Sequence, residues 1–192
     1  MRIFVTIAAA ILLGGPSEAQ ILTNDDFASA GKGGNLADWM EVVSGTGVIE
    51  HDDAQGGQGL GAAKLWTWAP SGQSTAWRCV NVNEGTDYAL SVAARMDLEL
   101  VAACGVSAIL VDGSDCPNQA PILQVQEVSV LPQLSWHRRY VLLQATIDPT
   151  PGNGMSAALL LDHDRTSGAT PSECLFDDVF FASDELFSGF FE

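Results

Sequence analysis

The chain has 192 residues, of which 24 are acidic and only 8 are lysine or arginine, so its formal net charge is −16. A surface this acidic repels phosphate backbones and anionic lipid headgroups, which argues against nucleic acid as a partner. Hydrophobic residues make up 47% of the sequence and charged residues 17%, a balance that excludes a disordered chain and predicts a single domain with a sizeable core.

The first 19 residues predict a secretory signal peptide. Arg2 supplies a positive charge, a short apolar run follows, and Ser17 and Ala19 supply the small residues of a cleavage site after Ala19. The apolar run is shorter than the roughly 20 residues that cross a bilayer. We therefore expect a secreted domain at 20–183 without membrane insertion. A tail at 184–192, with three phenylalanines, either packs on the domain or forms an exposed patch.

Alternating apolar and polar residues, separated by glycine and proline turns, predict about nine strands and no sustained helix. In chain order the candidate segments for these strands, some of them short, are 21–27, 39–49 (two short strands around a turn), 63–68, 76–82, 88–94, 104–111, 121–130, 136–147, 155–162 and 173–181. The predicted fold class is all-β, a two-sheet antiparallel β-sandwich of the jelly-roll type.

The last predicted strand carries two adjacent carboxylates, Asp177 and Asp178. Neighbouring side chains on a strand point to opposite faces, so one of the two must point inward unless the strand ends there. A buried carboxylate needs a cation or several hydrogen-bond donors. The first strand carries Asp25 and Asp26, and the first and last strands of a jelly roll lie side by side. The four aspartates therefore predict a structural Ca²⁺ site, with Asx turns and edge carboxylates as the alternative.

A possible sugar-binding surface lies on the strand at 63–68. Trp66 and Trp68 stand at positions i and i+2, and they share a face with Lys64, which predicts a solvated face. Exposed indoles stack on the apolar faces of sugar rings, while sugar hydroxyls need polar partners. The alternative is that both indoles pack under a loop or against the neighbouring strand. Nearby loops supply the polar residues His51, Asp52, Asp53, Gln55 and Gln58.

Four cysteines in a secreted chain predict two disulfides, and no C-x-x-C spacing indicates zinc. If 88–95 and 104–111 form a hairpin, Cys79 and Cys116 both lie beyond its open end and Cys104 lies at its closed end. If the last strand runs antiparallel beside 88–95, Cys174 reaches that closed end as well. This geometry predicts the pairs Cys79–Cys116 and Cys104–Cys174.

The order of these features resembles the jelly-roll carbohydrate-binding modules of the galactose-binding-like superfamily. The residues that carry the resemblance are 21–27 with 37–39 at the opening, 79–91 with its Gly85-Thr86-Asp87-Tyr88 turn, and the closing Phe176-Asp177-Asp178-Val179. Family openings usually carry Gly where Asp25 stands and Glu where Ala28 stands. The resemblance implies core positions for Trp39 and Trp136 and a Ca²⁺ at the place already named. Trp77 shares a face with Cys79 and is also expected in the core.

These observations predict a secreted, non-catalytic module that binds a polysaccharide or another glycan. The alternative is a structural or adhesive surface protein that uses the same sandwich and the aromatic tail. An enzyme is not expected, because the three histidines lie in separate segments and no G-x-S-x-G motif is present. The remaining catalytic interpretation is a glycosidase pair drawn from Glu50, Asp52 and Asp53.

Overall fold

The computed structural model describes residues 22–25, 27, 36, 38–52, 61–96, 102–145, 149–167 and 171–183. All the strand pairings among these residues are antiparallel, so the predicted all-β class is confirmed. None of them forms a helix that could span a membrane. The predicted signal peptide and tail lie outside these ranges and stay predictions. The strands are β1 (Leu22–Asp25), β2 (Met40–His51), β3 (Ala63–Val82), β4 (Asp87–Met96), β5 (Ala102–Asp112), β6 (Ile122–Val130), β7 (Gln133–Gln144), β8 (Met155–Arg165) and β9 (Ser172–Ser183).

β3 is a single long strand with a bend, where the sequence predicted two strands and a turn. Residues 63–67 pair with β9, and residues 72–82 pair with β8. The four residues between them, 68–71, bulge outward opposite the single residue Thr46 of β2. β2 pairs with β3 on both sides of the bend, which is why Pro70-Ser71-Gly72 does not end the strand. A Cβ at Gly47 would overlap the carbonyl oxygen of Gln73, so the bend requires glycine there.

The described strands form one continuous sheet in the order β6-β5-β8-β3-β9-β4-β7, with β2 beside β3 and β1 beside β9. We call β6, β5, β8 and residues 72–82 the β8 half, and β7, β4, β9 and residues 63–67 the β9 half. Alternate residues of both halves join one hydrophobic core, for example Leu159 and Val106 from the β8 half with Phe176 and Leu90 from the β9 half. The sheet therefore curls around a single core, and the pairing does not divide it into the two separate sheets expected.

The predicted neighbours of the last strand are confirmed. β9 runs antiparallel beside β1, with Leu22 opposite Phe181, and antiparallel beside β4 on its other edge. The predicted hairpin of 88–95 with 104–111 is wrong, because β4 pairs with β7 and β9 whereas β5 pairs with β6 and β8. Between β4 and β5 the chain crosses from the β9 half to the β8 half. The sequence could not show this crossing, because both strands are apolar and their composition does not distinguish their partners.

Both predicted disulfides are present. Cys79 is bonded to Cys116, and Cys104 to Cys174, with Cα–Cα distances of 5.9 and 6.0 Å. The first bridge is half-buried on the outer side of the β8 half, and the second is buried in the core. Cys174 lies opposite Met96 at the end of β4, so the second bridge ties the β9 half to β5 even though β4 and β5 do not pair.

Candidate functional site

Asp177 and Asp178 are both buried, because a bulge in β9 breaks the alternation that would have turned one outward. Asp178 has φ +48°, and Asp178 and Val179 together lie opposite the single residue Val92 of β4. The two aspartates are 0% and 5% exposed. Arg138 Nη2 lies 3.1 Å from Asp178 Oδ2, and Arg138 Nη1 donates to the carbonyl oxygen of Asp178 at 3.2 Å. The cation that a buried carboxylate requires here is therefore an arginine of β7.

The described part of the predicted Ca²⁺ site does not fit a metal. Asp178 is paired with Arg138, and Asp177 Oδ1 accepts the backbone N–H of Asp178 at 2.7 Å. Ca²⁺ takes six to eight oxygen ligands, and the described ranges contain no group of three or more His, Cys, Asp or Glu residues that could hold a metal ion. Pairing puts Asp25 opposite Val179, but its side chain and all of Asp26 lie outside the description. The Ca²⁺ site stays a prediction.

Trp66 lies on the outer side of the β9 half, as predicted, and a lysine partly covers its ring. Lys64 Nζ is 5.3 Å from the Trp66 ring centroid. The same Nζ lies 3.2 Å from Glu50 Oε1 and 3.3 Å from Glu173 Oε2, which hold the ammonium in place. Burial lowers the pKa of Lys64, but its hydrogen bonds and charge interactions with Glu50 and Glu173 outweigh burial and raise the pKa above its usual value.

A second indole of this side is covered in the same way. Arg95 Cζ lies 6.0 Å from the Trp136 ring centroid, and Arg95 Nη2 lies 3.8 Å from Glu173 Oε1. Trp136 is half-buried beneath this guanidinium, so its predicted place in the core is wrong. Trp39, by contrast, is in the core, where its ring centroid lies 5.9 Å from that of Phe27. The cation-covered face, as we call this surface, consists of Lys64, Trp66, Glu173, Arg95, Trp136, Arg138 and Asp178.

The sequence predicted Trp66 and Trp68 side by side on a straight strand, but the structure separates them. Trp68 opens the four-residue bulge of β3 and is 60% exposed at the bend. Thr46 Oγ1 donates to the carbonyl oxygen of Ser71 at 2.8 Å across the bend. The two indoles are thus presented differently, one on the strand beneath a lysine and the other alone at a corner.

The structure brings few of the predicted polar partners to these indoles. His51 lies opposite the buried Ala63, which places it on the side of the sheet opposite Trp66, and its Nε2 lies against Gly61. Asp52 exchanges two backbone hydrogen bonds with Ala62, at 2.9 and 3.0 Å. The carboxylate that approaches Lys64 beside Trp66 is that of Glu50. The other predicted partners, Asp53, Gln55 and Gln58, lie outside the described residues.

The outer side of the β8 half carries a different set of side chains, centred on Trp77. Ala76 and Val80 of β3 are buried in the core, so Trp77 and Cys79 point outward, and Trp77 is only half-buried. Its predicted core position is therefore wrong. One row across the strands reads Glu127, Ser107, Leu160, Trp77 and Met40, and the next reads Ser129, Gly105, Asp162, Thr75 and Val42. The acidic face, as we call this surface, consists of Trp77, Thr75, Asp162, Asp164, Glu127, Gly105 and Ser107.

The carboxylates of the acidic face have no cation as a partner among the described residues. Asp162 Oδ1 accepts a hydrogen bond from Thr75 Oγ1 at 2.6 Å. Burial, followed by the charges of Glu127 and Asp164, raises the pKa of Asp162 against the opposing effect of that hydrogen bond. A Cβ at Gly105 would lie 3.4 Å from Glu127 Oε1 and 3.9 Å from Asp162 Cβ. The carboxyl side chains of Glu127 and Asp162 thus flank Gly105, which has no side chain, on the same face as the indole of Trp77.

The acidic face was not predicted from the sequence, although one signal was available. Asp162 and Asp164 stand at positions i and i+2 of a strand, and they alternate with Leu161 and His163, which are buried. Such a pair must share the outer side. What the sequence did not show is that Trp77 of β3 and Glu127 of β6 share one row, next to the row that holds Asp162.

The side of the sheet behind the bend contains a buried polar cluster. His163 is 0% exposed, and its Nε2 lies 2.9 Å from Ser172 Oγ. Burial, together with the charge of Arg165, lowers the pKa of His163 to about 4. His163 is therefore neutral at pH 7 and supports the bend from inside, away from both outer faces.

Comparison with known proteins bears on the fold. No family model and no curated protein matches the sequence. The enzymatically active domain of tailspike protein 4 from bacteriophage CBA120 is similar with a TM-score of 0.58 at 11% identity, over 83% of this chain but only 21% of the tailspike chain. The module TmCBM61, solved in complex with β-1,4-galactotriose, gives a TM-score of 0.52 at 13% identity over 79% of this chain and 92% of the module.

The CBM22-1 xylan-binding domain of Paenibacillus barcinonensis Xyn10C gives a TM-score of 0.51 at 14% identity, over 86% of this chain and 95% of that domain. At such identities the similarity shows the fold alone. The chain has the jelly-roll fold of the β-sandwich carbohydrate-binding modules, as the resemblance in its sequence implied.

Proposed function

We propose that the protein is a secreted, non-catalytic glycan-binding module that holds its ligand on the acidic face, with the two halves acting as the sheets of a jelly-roll sandwich. The observation that carries the proposal is the half-buried indole of Trp77 on the same face as Asp162 and Glu127, carboxylates without a described cation. An indole binds the apolar face of a sugar ring, and carboxylates accept strong hydrogen bonds from its hydroxyls. Two disulfides support an oxidising, extracellular compartment.

The charge of this face favours a neutral polysaccharide. Glu127, Asp162 and Asp164 are acceptors when ionised, and they would repel an anionic chain. The row from β6 to β2 crosses four strand spacings of about 4.8 Å, or roughly 19 Å, enough for several sugar rings of an extended chain. Galactan and xylan are the first polymers to try, because modules of the same fold were solved with β-1,4-galactotriose or are named xylan-binding.

Replacement of Trp77 by alanine tests the proposal. We expect Trp77→Ala to weaken binding to the best neutral polysaccharide at least about tenfold, or roughly 1.4 kcal/mol, because the stacking surface is lost. Affinity electrophoresis against a panel of neutral polysaccharides provides the measurement, and thermal melts confirm that each variant is folded. Trp66→Ala is the matched control, an indole on the opposite outer side, and should change affinity less than about twofold.

A larger loss of affinity in the Trp66 and Trp68 variants than in Trp77→Ala would place the ligand elsewhere. If Trp66→Ala and Trp68→Ala lose binding while Trp77→Ala retains it, the glycan stacks at the bend of β3, the position predicted from the sequence. That position has one observation in its favour, the 60% exposure of Trp68. Against it stand the lysine over Trp66 and the bulge that separates the two indoles.

A structural or adhesive role is the second candidate function, and exposed apolar side chains on two strands favour it. They lie on or between β6 and β7 and are each more than half exposed: Ile122, Val125, Leu131, Leu134 and Leu142. Exposed apolar side chains gathered in one region are a feature of protein interfaces. Failure of the protein to bind any glycan of the panel would favour this role over the first.

A further inference from the structure

The two outer faces of the sheet hold similar groups, but only one of them includes a cation. On the cation-covered face, Lys64 Nζ lies 3.2 Å from Glu50 Oε1 and 3.3 Å from Glu173 Oε2. The same Nζ lies 5.3 Å from the Trp66 ring centroid, so one primary ammonium group joins two carboxylates and an indole. The acidic face also combines carboxylates with an indole, but no described lysine or arginine forms an ion pair with them.

The carboxylates of the acidic face meet over Gly105. A Cβ at this glycine would lie 3.4 Å from Glu127 Oε1 and 3.9 Å from Asp162 Cβ, so a small group placed there contacts both acidic side chains. Asp164 follows on the same side of β8, and its charge and that of Glu127 add to burial in raising the pKa of Asp162. A cation between these carboxylates would relieve their mutual repulsion.

A buried hydroxyl beside this gap also has no partner. Ser107 is 8% exposed, and its neighbours Val106 and Ala108 belong to the core, so its side chain points to the acidic face. It lies opposite Glu127 of β6 and two residues from Gly105. No described residue hydrogen-bonds to its hydroxyl. A hydroxyl can accept from an ammonium group or exchange hydrogen bonds with a sugar hydroxyl, so Ser107 can serve a ligand at this position.

The separation between the gap and the indole of this face favours a chain of sugars over a small cation. Gly105 and Trp77 stand two strands and one row apart, which is about 10–12 Å at the usual strand dimensions. A sugar stacked on Trp77 cannot reach the gap with its own amino group, whereas a neighbouring sugar of the same chain can. A lysine side chain of a peptide would supply the ammonium but no ring for the indole.

We propose that the gap over Gly105 is a subsite for an amino sugar, whose free ammonium group lies between Glu127 and Asp162 and whose hydroxyls contact Ser107. The inference rests on the proposed function, because Trp77 holds a neighbouring sugar of the same polysaccharide. The other sugars of the chain carry no charge. The ammonium takes the place that Lys64 has between Glu50 and Glu173 on the other face, and N-acetylation of the sugar removes the charge that the subsite binds.

Isothermal titration with the β-1,4-linked tetramer of glucosamine and with its fully N-acetylated form tests the proposal. At about pH 6 the amines are protonated. We expect wild-type protein to bind the amine form at least about tenfold more tightly than the acetylated form. About 0.5 M salt should remove most of this preference, because it screens the charges. Trp77→Ala should weaken binding of both tetramers by a similar factor.

Three variants assign the preference to the gap. Glu127→Gln, on an exposed side chain of an edge strand, should reduce the preference to less than about threefold. Gly105→Val fills the gap without changing any charge and should abolish the preference; Gly105 does not have a positive φ, so its backbone accepts a strand-forming residue. Glu84→Gln is the matched control, since it removes one exposed carboxylate from the turn after β3 and should change the preference less than about twofold.

Other outcomes overturn the proposal. Equal affinity for the two tetramers, binding of neither, or an unchanged preference in folded Glu127→Gln and Gly105→Val would remove the subsite. Tetralysine that binds as tightly as the glucosamine tetramer would replace the amino sugar with a basic peptide. If neutral polysaccharides bind through Trp77 and no amine preference is found, the subsite fails while the proposed function stands. An amine preference that depends on Glu127 but not on Trp77 would instead overturn the proposed stacking.

Discussion

The cation-covered face and the acidic face are outer sides of the same sheet, and both present indoles, yet their charges are arranged in opposite ways. On the cation-covered face, Lys64, Arg95 and Arg138 each approach a carboxylate, and a cation lies over each of two indoles. On the acidic face, carboxylates gather near one another without a described cation, and the hydrogen bond from Thr75 only partly offsets the burial of Asp162. We expect the first arrangement to stabilise the fold and the second to cost stability, which agrees with the binding role proposed for the acidic face.

The largest expected effect comes from removing the cation that pairs with Asp178. Arg138→Gln leaves a carboxylate that is 5% exposed without its charge partner, inside the bulge of β9. Breaking a buried pair costs about 3–5 kcal/mol, and we expect about 2–4 here because Arg138 itself is partly exposed. Urea denaturation near neutral pH measures the change in the free energy of unfolding.

A double-mutant cycle with Asp178→Asn separates the pair from the arginine's other contacts. Much of the loss should be recovered in the double variant, because the uncompensated charge is then absent. A loss below about 0.5 kcal/mol in Arg138→Gln would show that this face does not depend on charge pairing, and the contrast between the faces would then fail.

Removing a charge from the acidic face should stabilise the protein, whereas Arg138→Gln should destabilise it. The pKa of Asp162 is higher in the folded than in the unfolded chain, so the folded state binds the proton more tightly, and stability falls as pH rises through the folded pKa. Asp162→Asn keeps an oxygen that accepts from Thr75 and should stabilise the protein near pH 7 by about 0.5–1 kcal/mol. Melting temperatures near pH 7 and below the usual Asp pKa give the comparison, and the gain should vanish at low pH.

The same variant should lose glycan affinity, because an amide replaces an ionised acceptor. Thr75→Val is the control: it removes the hydrogen-bond donor without removing the charge, so it should raise the pKa of Asp162 further and destabilise the protein near neutral pH. A gain of equal size at both pH values in Asp162→Asn would mean that its charge is not what costs stability.

Much of the fold could be predicted because it depends on local patterns. Alternation and turn residues located most of the strands, and placing β9 beside β4 was enough to bring Cys174 towards Cys104 although the assumed hairpin was wrong. The bend of β3 could not be predicted, because Pro70-Ser71-Gly72 has the composition of a turn. Only the pairing of β2 across the bend, a contact between separate strands, keeps the strand continuous.

The sites were harder to predict than the fold because they depend on register between distant strands. The sequence indicated that whichever of Asp177 and Asp178 points inward needs a cation or several hydrogen-bond donors. Arg138 lies 40 residues away from Asp178, so the sequence could not name it and left a metal as one possibility. The orientation of Trp77 depends on whether Ala76 or Trp77 faces the core, and both residues are apolar. A one-residue shift in register would exchange them.

The smallest effect is expected at Lys64, whose ion pairs are partly exposed. The raised pKa of Lys64 means that its contribution is fully present below the usual lysine pKa and is lost only as pH rises through the folded value, so it is intact near neutral pH. Lys64→Gln should nevertheless cost only about 0.2–1 kcal/mol, since exposed pairs and cation–π contacts are weak, and about 0.5 M salt should remove most of the difference. Lys64→Arg should restore stability. A loss as large as that of Arg138→Gln would contradict this ranking, and a gain in glycan affinity would show that Lys64 alone keeps Trp66 from stacking on a sugar.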